Sequence, residues 1–521
     1  MKMNMVKTIM ISLLFFCMLA VSVYSSAPNA TPTMVTYIAY ADPMVFWDPA
    51  ESWAAELIVL HNMYETLLRI DPLGNNKIMP VLAESWEESP DHLKWTFTLK
   101  KGVKFHSGKE LTADIAARSI QRTIDNGKGA SYVWDGVKEI KALDNNTIEF
   151  TLSRPLPMLY IVSSSYAAYI YNPEYDNDWY NKGNEDGTGP YKLNSYKKDS
   201  EVILQKFDDY WGGWPEDTMK FDYAIIKIVT ESVTRRQMLM TGEADIVEQM
   251  PVEDIEALRS DKNITISKIT SFQQLYAFLN TQKPPLDNKY IRQALSYLMP
   301  YEDIVKHVML GNATQSRGVV PPTLWGHGED VLQYNYNIEK ANELLTKGGY
   351  PNGGFKLLYT YTAGDKNEQK VGELFKDALK KVNIDMEIRG MTVDSKYNLA
   401  KAPNPKDRQD ITMLYWWPDN LDPSGYLFSQ FHSEEKVGFN FGYYSNSDVD
   451  KLIDDAINVS GVSIDEATKK YIEAQRIIMD ECPAIMVYCE DYLRPYRSNL
   501  KGYKDNPAYP NVVFFYDLSR E

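Results

Sequence analysis

The segment 414–425 combines two tryptophans with two carboxylates: Trp416 and Trp417 are followed by Asp419 and Asp422. An aromatic wall beside a carboxylate suits a ligand that is partly apolar and partly cationic, such as the amino terminus of a peptide. Tryptophan faces also stack on sugar rings and carboxylates bind hydroxyl groups, so a sugar is the alternative ligand. We expect Asp419 and one of the two tryptophans to contact ligand, whereas Asp422 more simply caps a turn.

A second segment with aromatic and acidic residues lies at 45–51, directly after the first predicted strand, with Trp47 and Asp48 at its centre. Open α/β sheets bind ligands at the carboxyl ends of their strands, so both residues are candidate binding residues. A turn or a helix cap explains Asp48 at least as well as ligand binding does.

Catalytic and metal-binding motifs are missing from the sequence. No nucleophile elbow, phosphate-binding glycine loop or zinc-hydrolase helix motif is found. Adjacent acids such as Asp208 and Asp209 could serve a glycosidase, but neighbouring charges in an acidic chain are usually solvated. The six histidines show no ligand spacing, which makes a dedicated zinc or nickel site improbable. We therefore predict no enzymatic activity, no metal and no cofactor, with a secreted hydrolase as a remote alternative.

The composition is that of a globular protein. The chain has 521 residues, of which 44% are hydrophobic and 24% charged, and a net charge of −16. These values exclude a largely disordered or collagen-like chain, and the acidity disfavours nucleic-acid binding. The two cysteines of the later chain, Cys482 and Cys489, are predicted to be buried small hydrophobic residues rather than a disulfide.

The first residues predict export from the cytoplasm. Lys2 and Lys7 precede an apolar run over 9–23, which is followed by the small residues of 25–27. A short basic region, an apolar stretch and a small-residue end are typical of a secretory signal peptide, here 1–26. The apolar run is shorter than a membrane span needs, so an uncleaved anchor is the less favoured alternative.

Strand-like and helix-like patterns alternate along the rest of the chain. Alternating apolar residues predict strands, and apolar residues at helical spacing predict helices. Strands are predicted at 35–40, 95–99, 147–152, 355–361, 385–389, 411–416 and 487–492. Helices are predicted at 51–68, 112–124, 232–241, 252–259, 289–298, 338–347, 370–381, 449–458 and 464–480. The fold class is therefore mixed α/β or α+β.

Several stretches, in a fixed order, give the chain its resemblance to one family. They are residues 62–67, 79–86, 95–108, 111–114, 188–193, 210–213, 241–245 and 290–295, followed by the tryptophan loop. On these stretches the chain resembles the family 5 extracellular solute-binding proteins of ABC importers, the oligopeptide, dipeptide and nickel type. Each stretch is weak alone, but together they cover essentially all of the mature chain.

The resemblance implies a periplasmic-binding-protein-like receptor of two lobes that closes on its ligand. Lobe I would comprise 34–70, 188–282 and 490–521, with an extra subdomain at 71–187, and lobe II would comprise 283–489. The expected function is capture of oligopeptides or dipeptides between the lobes and delivery to a membrane permease with its ATPase subunits. An oligosaccharide receptor on the same scaffold is the alternative. A periplasmic monomer is expected.

The resemblance also assigns binding residues. In peptide-binding members, the acid after the tryptophan loop pairs with the amino terminus of the ligand, and Asp419 matches that position. Oligopeptide receptors often place an arginine six residues earlier for the ligand carboxylate, but this chain has Met413 there. On a strand entering the hinge, Gln274 and Tyr276 share a face with Phe278, and we expect the first two near ligand and Phe278 in the core.

Overall fold

The computed structural model describes residues 32–52, 56–71, 77–164, 167–216, 218–418, 421–508 and 512–521. The predicted signal peptide and Asp419 lie outside the described residues. Within the described ranges, no helix is long and apolar enough to cross a membrane.

The strands are numbered here in chain order. They are β1 Met34–Ala39, β2 Leu68–Asp71, β3 Lys77–Pro80, β4 Ala83–Glu88, β5 Lys94–Leu99, β6 Val137–Ala142, β7 Thr147–Leu152, β8 Tyr191–Lys197, β9 Glu201–Lys206, β10 Tyr223–Ile228, β11 Ile246–Val247, β12 Ile264–Leu279, β13 Ala313–Gln315, β14 Lys356–Thr362, β15 Asp385–Met391, β16 Ile411–Trp416, β17 Ala484–Arg497, β18 Leu500–Lys501 and β19 Ser519–Arg520.

The helices are numbered in the same way. They are α1 Leu57–Met63, α2 Ala113–Asn126, α3 Met158–Ile161, α4 Asn177–Asn181, α5 Ser232–Thr241, α6 Val252–Leu258, α7 Lys289–Leu298, α8 Tyr301–Asp303, α9 Ile338–Lys347, α10 Lys366–Lys380, α11 Val393–Ala400, α12 Ser424–Phe431, α13 Ser447–Ser460 and α14 Ile464–Glu481. Short 3₁₀ turns occur at Ser131–Trp134, Pro405–Asp407 and Phe515–Asp517, and a π-helical turn at Ile304–Val308.

One mixed sheet of eleven strands connects the early and late parts of the chain. Its order is β15-β14-β16-β12-β17-β11-β1-β10-β9-β8, and β13 pairs with β17 beside this path. Parallel pairs occur in both halves, β1 with β10 and β14 with β15. The long antiparallel strands β12 and β17 lie in the middle and join the two halves.

The pairing of β12 with β17 is interrupted at the centre of this sheet. Thr270 pairs with Asp491, and the next pair is Gln274 with Cys489. Three residues of β12 therefore stand opposite Glu490 alone, which is a β-bulge. Bulges often occur next to functional sites because they re-aim side chains. This irregularity lies where the two halves of the sheet meet.

The segment predicted as an extra subdomain contains its own four-stranded antiparallel sheet, in the order β4-β5-β7-β6. Phe97 and Phe150 from neighbouring strands pack edge to face at 5.6 Å. Helix α2 contacts β6 and β7, and the Thr112 side chain accepts a hydrogen bond from the backbone N–H of Ile115, as the predicted helix cap requires.

Most predicted elements are confirmed, and three need correction. The helix predicted at 51–68 is only α1, because the chain turns extended at Tyr64 and the Glu65 carboxylate is held by donors from distant segments. The helix predicted from 370 begins at Lys366, since Asp365 caps it by accepting from two backbone N–H groups. The strand predicted at 487–492 extends from Ala484 to Arg497 because its ladder continues across the bulge.

Candidate functional site

A cavity of about 780 Å³ lies over the junction of β12 and β17. One wall comes from the first turns of α5 and α6 and the segments before them. The other comes from the turn between β14 and α10, together with Tyr415 at the end of β16. The floor includes Gln273 of the bulge and residues 490–494 of β17. The cavity is thus bordered by both halves of the large sheet and is big enough for a small ligand.

Glu490 carries a carboxylate that faces this cavity without a hydrogen bond or ion pair to any described residue. Burial and the neighbouring carboxylates of Asp365 and Asp491 raise the pKa of Glu490 to about 8. Asp491 itself forms an ion pair with Lys268 at 3.1 Å. Asp365 caps α10, and burial raises its pKa as well.

Tyrosines surround these acids. The hydroxyls of Tyr415 and Tyr488 are hydrogen-bonded at 2.7 Å. Burial raises the pKa of both phenols, and nearby carboxylates, including Glu490, add to that rise. The Tyr492 hydroxyl is buried and forms no hydrogen bond within the described part of the chain, and Tyr492 lines the cavity. An acid with aromatic faces around it is a suitable environment for a cation.

The two arginines that line the cavity, Arg235 of the α5 wall and Arg494 of the floor, interact with other groups of the protein. Arg235 donates to the carbonyl oxygens of Val229, Thr230 and Gln249, at 2.6 to 2.9 Å. Arg494 lies 3.4 Å from the Tyr37 hydroxyl and is buried. Desolvation lowers the pKa of Arg235.

One ion pair joins the two walls of the cavity. Lys370 of α10 lies 3.1 Å from Glu253 of α6, and both side chains are substantially exposed. An exposed pair of this kind contributes little to stability. It shows that α6 and α10 approach each other closely in this structure.

The tryptophan loop is partly described. The Trp416 ring packs edge to face on Phe439 at 4.9 Å, and its Nε1 donates to the Gly425 carbonyl oxygen at 2.7 Å. Trp417 is half-buried, and Asp419 lies outside the described residues. Asp422 is buried and accepts from the Ser424 backbone N–H at 2.8 Å, so it caps a turn as predicted.

The other candidate residues are engaged within the protein. Gln274 and Tyr276 are buried, and both side chains donate to the Val319 carbonyl oxygen, at 2.5 and 2.7 Å. They share a face with Phe278, as the predicted strand parity requires, because β12 pairs regularly with β16 from Gln274 onward. Contact of Gln274 and Tyr276 with a ligand stays a prediction.

Asp48 forms a bidentate ion pair with Arg122 of α2, at 2.9 and 2.6 Å. It also accepts from the Ala50 backbone N–H, which is the turn role that the sequence allowed. Trp47 is buried and packs edge to face on Tyr196 at 5.0 Å. A ligand role for Trp47 and Asp48 stays a prediction.

Two acids of the cavity, Glu490 and Asp365, were not predicted from the sequence as site residues. A signal for Glu490 exists: it directly follows the apolar run 484–489 and, with Asp491, places charge within a central strand. Such a charge is costly to bury unless it is paired or has a function. Gln273 was missed because strand parity alone assigns its side chain to the face opposite Gln274 and takes no account of a bulge.

A scan against protein families matches residues 77–438 to the model described as bacterial extracellular solute-binding proteins, family 5 Middle. The chain belongs to this family. One family 5 relative, the probable D,D-dipeptide-binding periplasmic protein DdpA of Escherichia coli, is 29% identical over 502 residues, which cover 92% of this chain and 93% of the relative. Heme-binding protein A of Haemophilus influenzae is 29% identical over 465 residues, covering 83% of each chain.

A solved family structure has the same architecture. The periplasmic binding protein DppA from Helicobacter pylori, in complex with the peptide STSA, superposes with a TM-score of 0.79 at 27% identity. The match covers 94% of this chain and 99% of that structure. The two-lobed fold expected from the sequence is thereby confirmed.

Among the described residues, no group of three or more His, Cys, Asp or Glu side chains could hold a metal ion. Both Cys482 and Cys489 are free and buried, as predicted from their spacing.

Proposed function

We propose that this family 5 protein is the extracytoplasmic receptor of an ABC importer and that it captures peptides between its two lobes. The observation that carries the proposal is the cavity over the junction of β12 and β17, bordered by both halves of the large sheet. Its position is where a ligand can hold the halves together. Two relatives named or solved with dipeptide or peptide ligands support peptide as the ligand class.

Hinge closure is the mechanism that this geometry favours. Ligand contacts made by both lobes would stabilise the closed state and shift the population toward it. The closed receptor would then dock on a membrane permease whose ATPase subunits lie in the cytoplasm. The lobe boundaries predicted above, 34–70 with 188–282 and 490–521 against 283–489, are part of this proposal.

Asp419 is the proposed partner of the peptide amino terminus. It follows the half-buried Trp417 by two residues in the sequence. The oligosaccharide alternative has less support, because Trp416 is already packed on Phe439 and its Nε1 is bound to Gly425.

Native mass spectrometry of protein purified without refolding tests the ligand class. Peptide masses among the released ligands would support the proposal, whereas a ladder of sugar increments or a porphyrin mass would contradict it. Isothermal titration with tetrapeptides then tests the amino-terminal partner. Asp419→Ala should weaken binding by roughly two to three and a half decades, because removal of one partner of a buried charge pair costs about 3–5 kcal/mol.

Two controls make this result specific. Asp209→Ala removes an exposed aspartate elsewhere and should leave the affinity unchanged. An amino-terminally acetylated tetrapeptide should bind the unaltered protein as weakly as the free peptide binds Asp419→Ala. Equal affinity of the free and acetylated peptides would show that Asp419 does not hold the amino terminus.

A further inference from the structure

The cavity is lined by one acidic side chain, that of Glu490, for which the described residues supply no cation. The carboxylates of Asp365 and Asp491 both act on the Glu490 carboxylate there. Lys268 neutralises only Asp491, at 3.1 Å. The fourth acid nearby, Glu368, has its own cation in the buried Lys396, which lies 3.9 Å away.

The remaining cations of the lining are directed elsewhere. Lys370 is paired with Glu253. Arg235 donates to carbonyl oxygens, and Arg494 lies beside a tyrosine hydroxyl. Lys366 is exposed to solvent, where water and salt screen its charge. No cation is among the groups that act most strongly on Glu490, whose charged neighbours are acids.

The backbone aims Glu490 into the cavity. The bulge leaves it without a paired residue on β12, while β13 pairs with it on the other side through Ala313. Its backbone carbonyl accepts from the Ser271 hydroxyl at 2.5 Å, which fixes the strand at this point. A fixed strand means that the backbone need not be ordered when the Glu490 carboxylate binds a partner.

A second observation at the same place also points to a ligand. Tyr492 is 7% exposed and lines the cavity two residues beyond Glu490. Its hydroxyl makes no hydrogen bond of normal geometry within the described residues, although the Ser271 hydroxyl acts on it. A buried hydroxyl is normally hydrogen-bonded, so an unpaired one beside a cavity is explained by a ligand atom or a bound water. Tyr415 adds an aromatic side chain to the lining.

We propose that Glu490, supported by Asp365 and the surrounding tyrosines, forms a subsite for a positively charged side chain of the bound peptide. The ligand class is therefore a peptide that contains lysine or arginine. This inference rests on the proposed function and makes it more specific. It also explains why Met413 stands where oligopeptide receptors often have an arginine. A receptor that recognises its ligand through a cationic side chain depends less on a contact with the ligand carboxylate.

A positional scan of tetrapeptides tests the subsite. Four peptides carry one lysine at successive positions in an alanine background, and four matched peptides carry norleucine instead. Lysine and norleucine have similar length, and the peptide termini are identical, so the difference in affinity isolates the side-chain charge. In the unaltered protein, at least one position should favour lysine by about tenfold or more, the effect expected for hydrogen bonds to a charged group.

Three variants assign the preference to Glu490. Glu490→Gln should reduce the lysine preference to less than about threefold while norleucine peptides keep their affinity, which shows that the variant is folded. Asp365→Asn should reduce it partially, since asparagine retains the helix cap. Glu329→Gln removes an exposed carboxylate that does not line the cavity and should retain the full preference.

The outcomes separate the two proposals. Peptide binding without a lysine preference at any position, or a preference that survives in Glu490→Gln, would overturn the cationic subsite and leave peptide capture intact. Failure of all eight tetrapeptides to bind, together with non-peptide masses released from the purified protein, would overturn both.

Discussion

Glu65 and Glu490 are two partly buried glutamates that differ in the hydrogen-bond donors around their carboxylates. Glu65 accepts from the Thr188 hydroxyl at 2.9 Å, the Tyr210 hydroxyl at 2.8 Å and the Trp211 indole N–H at 2.7 Å. These donors come from two distant segments, so the carboxylate connects α1 to residues 188–211. Glu490 has no such donor among the described residues.

The difference separates a structural acid from one available to a ligand. Burial raises the pKa of both glutamates, but the hydrogen bonds to Glu65 oppose that rise. At Glu490, the neighbouring acids add to it and the pKa reaches about 8. A buried acid without donors avoids the cost of charge by holding a proton. In the empty receptor Glu490 can therefore be largely neutral, and a cationic ligand would ionise it.

The largest change in stability is expected at the ion pair of Asp48 with Arg122, because Asp48, like Glu65, is an acid whose partners lie within the protein. Asp48 is fully buried, and Arg122 also lies over the rings of Tyr171 and Tyr180, at 5.1 and 5.2 Å. Asp48→Ala should lower the free energy of unfolding by roughly 3–5 kcal/mol, because it removes the carboxylate partner of a largely buried guanidinium. Urea denaturation of the ligand-free protein measures this change.

The matched control removes both charges. Asp48→Ala combined with Arg122→Met should recover much of the lost stability, since no unpaired charge remains. Peptide affinity of the folded single variant should be unchanged if Asp48 is structural. A loss of affinity without a loss of stability would instead support the ligand role predicted from the sequence.

Glu65 should show the same behaviour on a smaller scale. Glu65→Ala leaves two hydroxyls and one indole N–H without their acceptor, and we expect a loss of about 2–3 kcal/mol in unfolding free energy. Glu65→Gln should cost less than half of that, because its amide oxygen can accept from Trp211 while the tyrosine hydroxyl reorients to accept. Equal losses in the two variants would contradict an acceptor role for Glu65.

How far the sequence predicts this fold depends on whether a feature is local. Helices with a cap and an apolar face, such as α2 with Thr112, are predicted to within about two residues. Asp422 is likewise read correctly, because an aspartate before a proline bonds to a backbone N–H two residues on.

The failures come from long-range partners. Helix α1 is shorter than predicted because Glu65 is held by residues 188–211, which no local pattern shows. Asp48 is fixed by Arg122, 74 residues away. Glu490 reaches the cavity because of a bulge between two strands that are more than 200 residues apart in sequence. The resemblance identified the family, but local sequence patterns did not predict the acids of the candidate site.

Glu490 should also make the stability of the protein depend on pH. Its pKa is about 8 in the folded protein, against the ordinary glutamate value of roughly 4.3 in the unfolded chain. Between these values the folded state binds more protons, so ionisation of Glu490 reduces the stability of the unaltered protein as pH rises. The slope is at most about 1.4 kcal/mol per pH unit for one proton.

Glu490→Gln does not titrate, so its stability relative to the unaltered protein should increase from about pH 5 to about pH 8 and then level off. Calorimetric melting of both proteins without ligand measures this difference, with Glu329→Gln as a variant whose difference should stay flat. The groups facing Glu490 are Asp365 from the turn before α10 and Asp491 from its own strand. Because both are acidic, a flat profile for Glu490→Gln would mean that a cation already neutralises Glu490 in the ligand-free protein, and the contrast with Glu65 would then be lost.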